Sequence, residues 1–310
     1  MVFQVVQDEA GRKYELVPVS ISSGQVLKAG VSVNSVTFDF AAHPGTACER
    51  LYDLAESAVL LRALGHSLPR DYILSWLGLD PQASWCVLGL LRQHLSRELP
   101  LGKPGDFDLI GGRVVDGVPS FDYLVELEVK RRTVRDDGAP DNMSENGTKQ
   151  AEGAAALGFD RVLLLHLLVG AERDLPDGCA DSWASVHNGD FAQAVKMTAG
   201  RLRSILDSDR APRFGYGLLG WGQVKDTDPS LTSAVCPVLL RPPPELRCHG
   251  PMGPSRERMI AGLKSFFSRP GVDPRHRFFF ICQRCHEASV VPQQAGRGAQ
   301  IACARCGERC

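Results

Sequence analysis

The sequence predicts an α/β fold, a mixed central sheet flanked by helices, with a small β-rich element before it and a cysteine-held module after it. Three observations carry this. Residues 105–133 hold two runs in which charged and apolar residues alternate, the period of a strand. Arg161–Val169, RVLLLHLLV, is almost wholly apolar between turn signals, as expected of a central strand covered on both faces. Segments with helical spacing lie before, between and after these strands.

Composition sets the frame. The chain has 310 residues, 44% hydrophobic and 23% charged, which fits a soluble globular protein of two or three domains. No apolar run reaches the length of a membrane span, so no membrane partner is expected. The N-terminus has no basic segment ahead of an apolar core, so the expectation is a cytoplasmic, reducing compartment. Net charge is −1, but residues 241–310 carry twelve Lys and Arg against five Asp and Glu, a charge of +7. Such asymmetry points to a tail that meets an anion such as nucleic acid. GxxxxGK[ST] is absent, which removes support for nucleotide-triphosphate binding by a P-loop.

Taken in order, residues 1–42 alternate around Gly11 and Gly24 and form the β-rich element. Thr46 caps a helix from Ala47 to about Leu64, with Leu51, Leu54, Ala58, Leu61 and Leu64 on one stripe and Glu49, Asp53 and Glu56 off it. The stretch Gly65–Pro69 ends it. A second helix is expected over Gln82–Arg97, with Trp85, Leu88, Leu91 and Leu95 buried. Next comes the pair of alternating strands: Asp106 and Asp108 share one face of the first, and Glu126, Glu128 and Lys130 share one face of the second. Paired through the Val114–Ser120 link, they bring carboxylates and an ammonium to one surface. Clustered acids stay ionised mainly when a cation sits among them, and all-oxygen ligands suit Mg²⁺ or Mn²⁺.

A polar loop (Asp136–Asn142) follows, then an Ala-rich helix over Gly147–Leu157 bearing Lys149 and Gln150. His166, within the apolar strand, reads as a buried, hydrogen-bonded histidine. A helix from about residue 190 to Leu206 and a glycine-bearing strand over Phe214–Val224 complete the main domain, residues 43–236. Tyr216 and Trp221 read as core or interface residues, with base stacking as the alternative. Residues 237–275 read as a linker, opened by Arg241-Pro-Pro-Pro244, and a basic helix.

Asp108-Leu109-Ile110 followed by Glu128-Val129-Lys130 resembles the core of the PD-(D/E)xK nuclease superfamily, the restriction-endonuclease-like fold. The resemblance covers Thr46 to about Val169. It implies a Mg²⁺-dependent nuclease acting on DNA, with Asp108 and Glu128 holding the metal, Asp106 as an extra ligand, Lys130 placing the water and Gln150 supporting it. It also implies an acid from the first helix, Glu49 or Glu56. Phe107, not proline, stands before Asp108. Nucleases of this fold serve restriction, repair and anti-phage defence, and commonly act as homodimers; the sequence leaves that choice open.

Cys282-x-x-Cys285 and Cys303-x-x-Cys306, separated by 17 residues, have the spacing of a structural Zn²⁺ site. The segment from about residue 276 to 310 resembles a zinc ribbon, with strands expected at Val290-Val291 and Gln300-Ile301. Arginines around it point to phosphate contact, and a protein partner is the alternative. His276, His286 and Cys310 are spare ligand candidates. The cysteines at 48, 86, 179, 236 and 248 have no ligand spacing and read as free thiols.

Overall fold

The computed structural model describes residues 4–7, 13–18, 29–33, 36–41, 56–91, 106–133, 147–169, 195–203, 213–223, 233–246, 253–292 and 301–308. The strands are β1 (Gln4–Gln7), β2 (Lys13–Pro18), β3 (Ala29–Val33), β4 (Val36–Ala41), β5 (Ser84–Leu91), β6 (Asp106–Val115), β7 (Val118–Thr133), β8 (Arg161–Val169), β9 (Gly215–Gln223), β10 (Ser233–Arg241), β11 (Phe278–Ile281) and β12 (Ala288–Val290). The helices are α1 (Glu56–Gly65), α2 (Ser67–Trp76), α3 (Thr148–Ala155), α4 (195–203) and α5 (Pro254–Phe267).

All twelve strands join one mixed sheet in the order β1-β2-β3-β4-β10-β9-β8-β7-β6-β5-β11-β12. The β5-β6-β7 meander is antiparallel, β7 and β8 are parallel, and so are β8 and β9. A meander followed by a helix and a parallel strand is the α/β arrangement expected from the alternating runs. The turn between β6 and β7 is only Asp116-Gly117, both at positive φ (51° and 77°), which closes a two-residue hairpin.

Each face of the sheet has its own core. On one, α3, α4 and α5 cover Trp85, Val87, Ile110, Leu124, Val162, Leu164, Tyr216 and Leu218. On the other, α1 and α2 cover Cys86, Leu88, Leu109, Val125, Leu127, Leu163, Leu165 and Trp221. The even and odd positions of β7 and β8 divide between the faces, as strand geometry requires. Tyr216 and Trp221 are fully buried, so both are core residues without an exposed ring face.

Buried polar groups fix the far end of α3. Asp160 is fully buried, and its Oδ2 accepts hydrogen bonds from Leu124 N at 2.7 Å and Arg256 Nη2 at 2.8 Å. Arg256, from the first turn of α5, also donates to the Asp122 carbonyl at 2.9 Å and to the Gly158 carbonyl. One guanidinium thus ties α5 to β7 and to the turn before β8.

Several local expectations are corrected. Residues 84–91 form a strand, not the helix expected over Gln82–Arg97. Trp85 and Leu88 face opposite sides of the sheet instead of sharing a stripe. SWCVLGLL is apolar at nearly every position, and such a run does not separate a buried strand from a helix by period. The first helix does end at Gly65, within the Gly65–Pro69 stretch expected to stop it, but a second helix, α2, starts at once at Ser67 with Pro69 in its first turn, where the missing N–H costs nothing. Pro237, where the composition changes, lies inside β10 opposite Leu219. It sits past Val235, the last β10 residue paired to β4. The expected helix start near Thr46, the loop Asp136–Asn142 and Gln300 lie outside the described residues.

Candidate functional site

The acid cluster forms where two strands part. β6 and β7 pair from Val115↔Val118 back to Leu109↔Leu127. Beyond that point β6 continues beside β5, with Phe107↔Leu90 and Asp106↔Leu91. β7 continues beside β8, from Glu128↔Leu164 to Thr133↔Val169. The fork therefore opens at Asp108 on one strand and Glu128 on the other.

A local slip in side-chain alternation prepares Asp108 for this position. Leu88↔Leu109 and Leu90↔Phe107 bracket Gly89 across from Asp108, and Gly89 has φ +64°, open to glycine with little strain. Leu88 belongs to the α1 side of the sheet but Leu90 to the α3 side, and Leu109 and Phe107 divide in the same way. At the slip, the Asp108 carboxylate turns along the sheet toward β7. Its Oδ2 accepts the Val129 N–H at 2.7 Å. Two residues on, Glu56 Oε2 from the start of α1 accepts the Arg131 N–H at 2.6 Å. Two carboxylates thus take backbone donors of β7 where β6 no longer pairs.

Lys130 closes the group. Its Nζ lies 2.7 Å from Glu128 Oε1 and 3.7 Å from Glu56 Oε1. Its stem passes beside Gly147, the residue before α3, where an added Cβ would meet Lys130 Cγ and Cε at 3.1 Å and Leu164 Cδ1 at 2.7 Å. Burial lowers the Lys130 pKa, but its hydrogen bond to Glu128 and the charges of Glu128, Glu56 and Asp108 outweigh this and raise it above the usual lysine value. Lys130 is therefore a cation at neutral pH. Asp108 moves the opposite way for an acid: burial and the neighbouring Glu128 and Glu56 charges push it up to about 8, against the Val129 hydrogen bond and Lys130. Acids packed this closely keep a proton unless a cation takes its place.

The structure brings together Asp108, Glu128 and Lys130 and adds Glu56. It does not bring in all the expected residues. Asp106 is the first residue of β6, and its side chain lies outside the described residues, as does Glu49. Gln150 is half-buried in the first turn of α3, three residues past Gly147, and among the described residues no hydrogen bond joins its side chain to the cluster. Glu126 is only 1% exposed and sits opposite Ile110, toward the closed end of the fork. Arg132 is buried, with Nε directed at His166 Nδ1 at 3.4 Å. His166 Nε2 in turn meets Tyr216 Oη at 3.1 Å, which makes it the buried histidine that was expected.

The cysteine site is the more complete ligand set. The Sγ atoms of Cys282, Cys285, Cys303 and Cys306 lie within 4.8 Å of one another, the one such group among the described residues. Cys282–Cys306 is 3.7 Å and Cys285–Cys303 is 3.4 Å. A zinc ion bonded to four sulfurs at about 2.3 Å sets them about 3.8 Å apart, so the geometry fits. Cys303, despite burial, is lowered to about 6 by the N–H groups of Cys306 and Arg305 and by Ser289. Cys285 is raised to about 12: the Glu287 N–H lowers it, and burial and the other three sulfurs outweigh that.

One feature of this module is legible in the sequence but absent from the motif reading. Cys282-Gln-Arg-Cys-His-Glu287 and Cys303-Ala-Arg-Cys-Gly-Glu308 are two copies of CxRCxE. Their backbones match: Cys282 N and Cys303 N bond the carbonyls of Glu287 and Glu308, and His286 and Gly307 are both at positive φ. Their ion pairs cross over. Arg284 pairs with Glu308 at 2.8 Å, and Arg305 pairs with Glu287. Each knuckle therefore supplies the other's counter-charge.

Among the described residues no helix is long and apolar enough to cross a membrane. Compared with known proteins, the chain matches no family model, and no curated protein and no solved structure shows significant similarity to it.

Proposed function

We propose that the chain is a metal-dependent nuclease of the PD-(D/E)xK type, with its active site at the fork between β6 and β7. The observation that carries this reading is the meeting of Asp108, Glu128, Lys130 and Glu56 where those two strands separate. A divalent ion there would polarise the phosphodiester and lower the pKa of a bound water. Asp108, Glu128 and Glu56 supply the oxygens that fit Mg²⁺ or Mn²⁺. Lys130, held as a cation, acts as a hydrogen-bond donor that orients the attacking water and stabilises charge on the phosphate, not as the base that takes the proton. Asp106 and Gln150 remain candidates for outer contacts to the same ion and water. The Zn²⁺ of the cysteine site is structural. DNA is the proposed substrate, in a defence or repair role.

The test is cleavage of supercoiled plasmid and of single-stranded DNA by the purified full chain with Mg²⁺, Mn²⁺ or neither. Metal-dependent cutting that Asp108→Ala and Lys130→Ala both abolish, with the fold intact, supports the reading. Unchanged cutting by either variant sinks it.

A second reading rests on the 2.7 Å contact between Lys130 and Glu128. That ion pair gives Glu128 an internal counter-charge, as in a non-catalytic module that uses this fold and its zinc ribbon to bind nucleic acid or a protein. DNA binding without metal-dependent cleavage favours it.

A further inference from the structure

The cysteine site and the acid cluster share a framework. β11 ends at Ile281, and Cys282 is the next residue. β11 pairs in parallel with β5 through Phe278↔Cys86, Phe279↔Val87 and Phe280↔Leu88. β5 then reaches Gly89, across from Asp108. The Ile281 carbonyl oxygen lies 3.7 Å from where a Cβ on Gly89 would stand. Three adjacent strands therefore lead from the first cysteine to the slip that turns Asp108.

A second route is shorter. Gln283, inside the first knuckle, donates from Nε2 to Ser57 Oγ at 3.4 Å. Ser57 follows Glu56, whose two carboxylate oxygens face Arg131 N and Lys130 Nζ. At the other end of α1, the Pro292 carbonyl oxygen lies 3.1 Å from where a Cβ on Gly65 would stand. The buried residues Phe278, Phe280, Val291 and Ile301 belong to the same core cluster as Val59, Leu60, Ala63 and Leu64 of α1. On this side the module's described residues complete the core that seats α1.

From these contacts we infer that the cysteine-bound zinc positions the acid cluster: it holds Glu56 through Gln283 and Ser57, and Asp108 through β11 and β5. Metal–sulfur bonds fix the knuckle with far more free energy than its few buried side chains supply. The knuckle in turn restrains the first turn of α1, the part of a helix most prone to fray. Gln283 is a positioning residue, since it touches neither the ion nor the acids. The inference rests on the acid cluster being the site, but its main test does not need cleavage.

The experiment is hydrogen–deuterium exchange on the zinc-loaded full chain before and after zinc removal with 1,10-phenanthroline. The expected result is exchange about tenfold faster or more in residues 56–60 and 84–91, with α3 and β9 unchanged. Unchanged protection in 56–60 and 84–91, with loss confined to residues 282–308, overturns the inference and makes the ribbon an independent tail. Equal loss in α3 and β9 also overturns it, because zinc would then hold the whole fold and not the cluster. Gln283→Ala tests the short route with zinc retained at one ion per chain. It is expected to loosen residues 56–60 and to weaken Mn²⁺ binding several-fold by titration, with Ser57→Ala doing the same and the double variant no worse than either. Additive effects, or none, overturn the Gln283 route. If the wild-type chain binds no Mn²⁺ yet shows the exchange pattern, the nuclease reading fails and the zinc brace stands.

Discussion

Asp108 Oδ2 accepts the backbone N–H of Val129 at 2.7 Å, a side-chain bond made where the β6–β7 ladder has just ended. The contact has two consequences. It links the two strands just past the end of their ladder, and it sets one carboxylate oxygen among Glu128, Glu56 and Lys130, the charges that act on Asp108.

The first prediction follows from the proton on Asp108. Its pKa of about 8 in the folded chain lies above the roughly 3.9 of an exposed aspartate. Between those values the folded state binds more protons than the unfolded one, so stability of the metal-free protein falls as pH rises from about 4 to 8. Asp108→Asn should flatten this part of the pH–stability curve, measured by urea unfolding in EDTA. Mn²⁺ binding to the wild type should release a proton below pH 8, seen as a buffer-dependent enthalpy in calorimetry. An equally steep curve in the variant refutes the assignment of the proton.

Gly147 has φ +77°, and an added Cβ has no room between Leu164 and Lys130. Gly147→Ala should cost about 1–3 kcal/mol for the left-handed backbone alone. It should also displace the Lys130 stem. The expected signature is a loss of cleavage larger than the loss of folded protein, measured at a temperature where the variant is still fully folded. A variant that is less stable but fully active when folded would show that Lys130 tolerates the shift.

Much of this architecture is legible in the chain, and the parts that are not have physical reasons. The charged–apolar alternation of residues 105–133 marks β6 and β7, and the apolar run 161–169 marks β8, because those patterns follow directly from the faces of a strand. Asp108, Glu128 and Lys130 are readable as a group, since register brings them together. Glu56 is readable only as one of two acids on a helix. Its choice depends on where α1 meets β7, a tertiary contact with no local signal. The β5 strand is hidden because buried residues on both faces erase the period, and Gly89 is hidden because its effect is on the residue across the ladder. The cysteine spacing gives the ligand set but not its place. That place comes from β11, whose four residues Phe278–Ile281 are too few to carry a pattern.

Arg256 and Asp160 give a prediction about folding instead of chemistry. The carboxylate is fully buried, and the guanidinium is 5% exposed and bonded to two carbonyls besides. Removing one member leaves a buried charge without its partner. Arg256→Ala should therefore cost about 3–5 kcal/mol, read from the urea midpoint. Replacing both, Arg256→Met with Asp160→Asn, should recover part of that, because no lone charge remains. A double variant no better than the single one would show that the carbonyl contacts of Arg256, not its pairing with Asp160, hold α5 in place.

Lys130 offers the sharpest separation of roles. Its Nζ lies 2.7 Å from Glu128 Oε1, and in the proposed reaction it competes with the ion for that carboxylate and also orients the water. Lys130→Met keeps an unbranched stem of similar length beside Gly147 but removes the charge. Two changes in opposite directions follow. Mn²⁺ should bind more tightly, since three acids lose their internal cation. Cleavage should fall by about 10²–10³-fold, the scale for losing one preorganised donor at a reacting centre. A lysine serving only to balance the acids predicts tighter metal binding with cleavage retained. A lysine serving only as a metal-site scaffold predicts weaker binding and slower cleavage together. The nuclease reading requires the opposed pair, and calorimetry of Mn²⁺ binding beside single-turnover cleavage of the same preparation distinguishes the three.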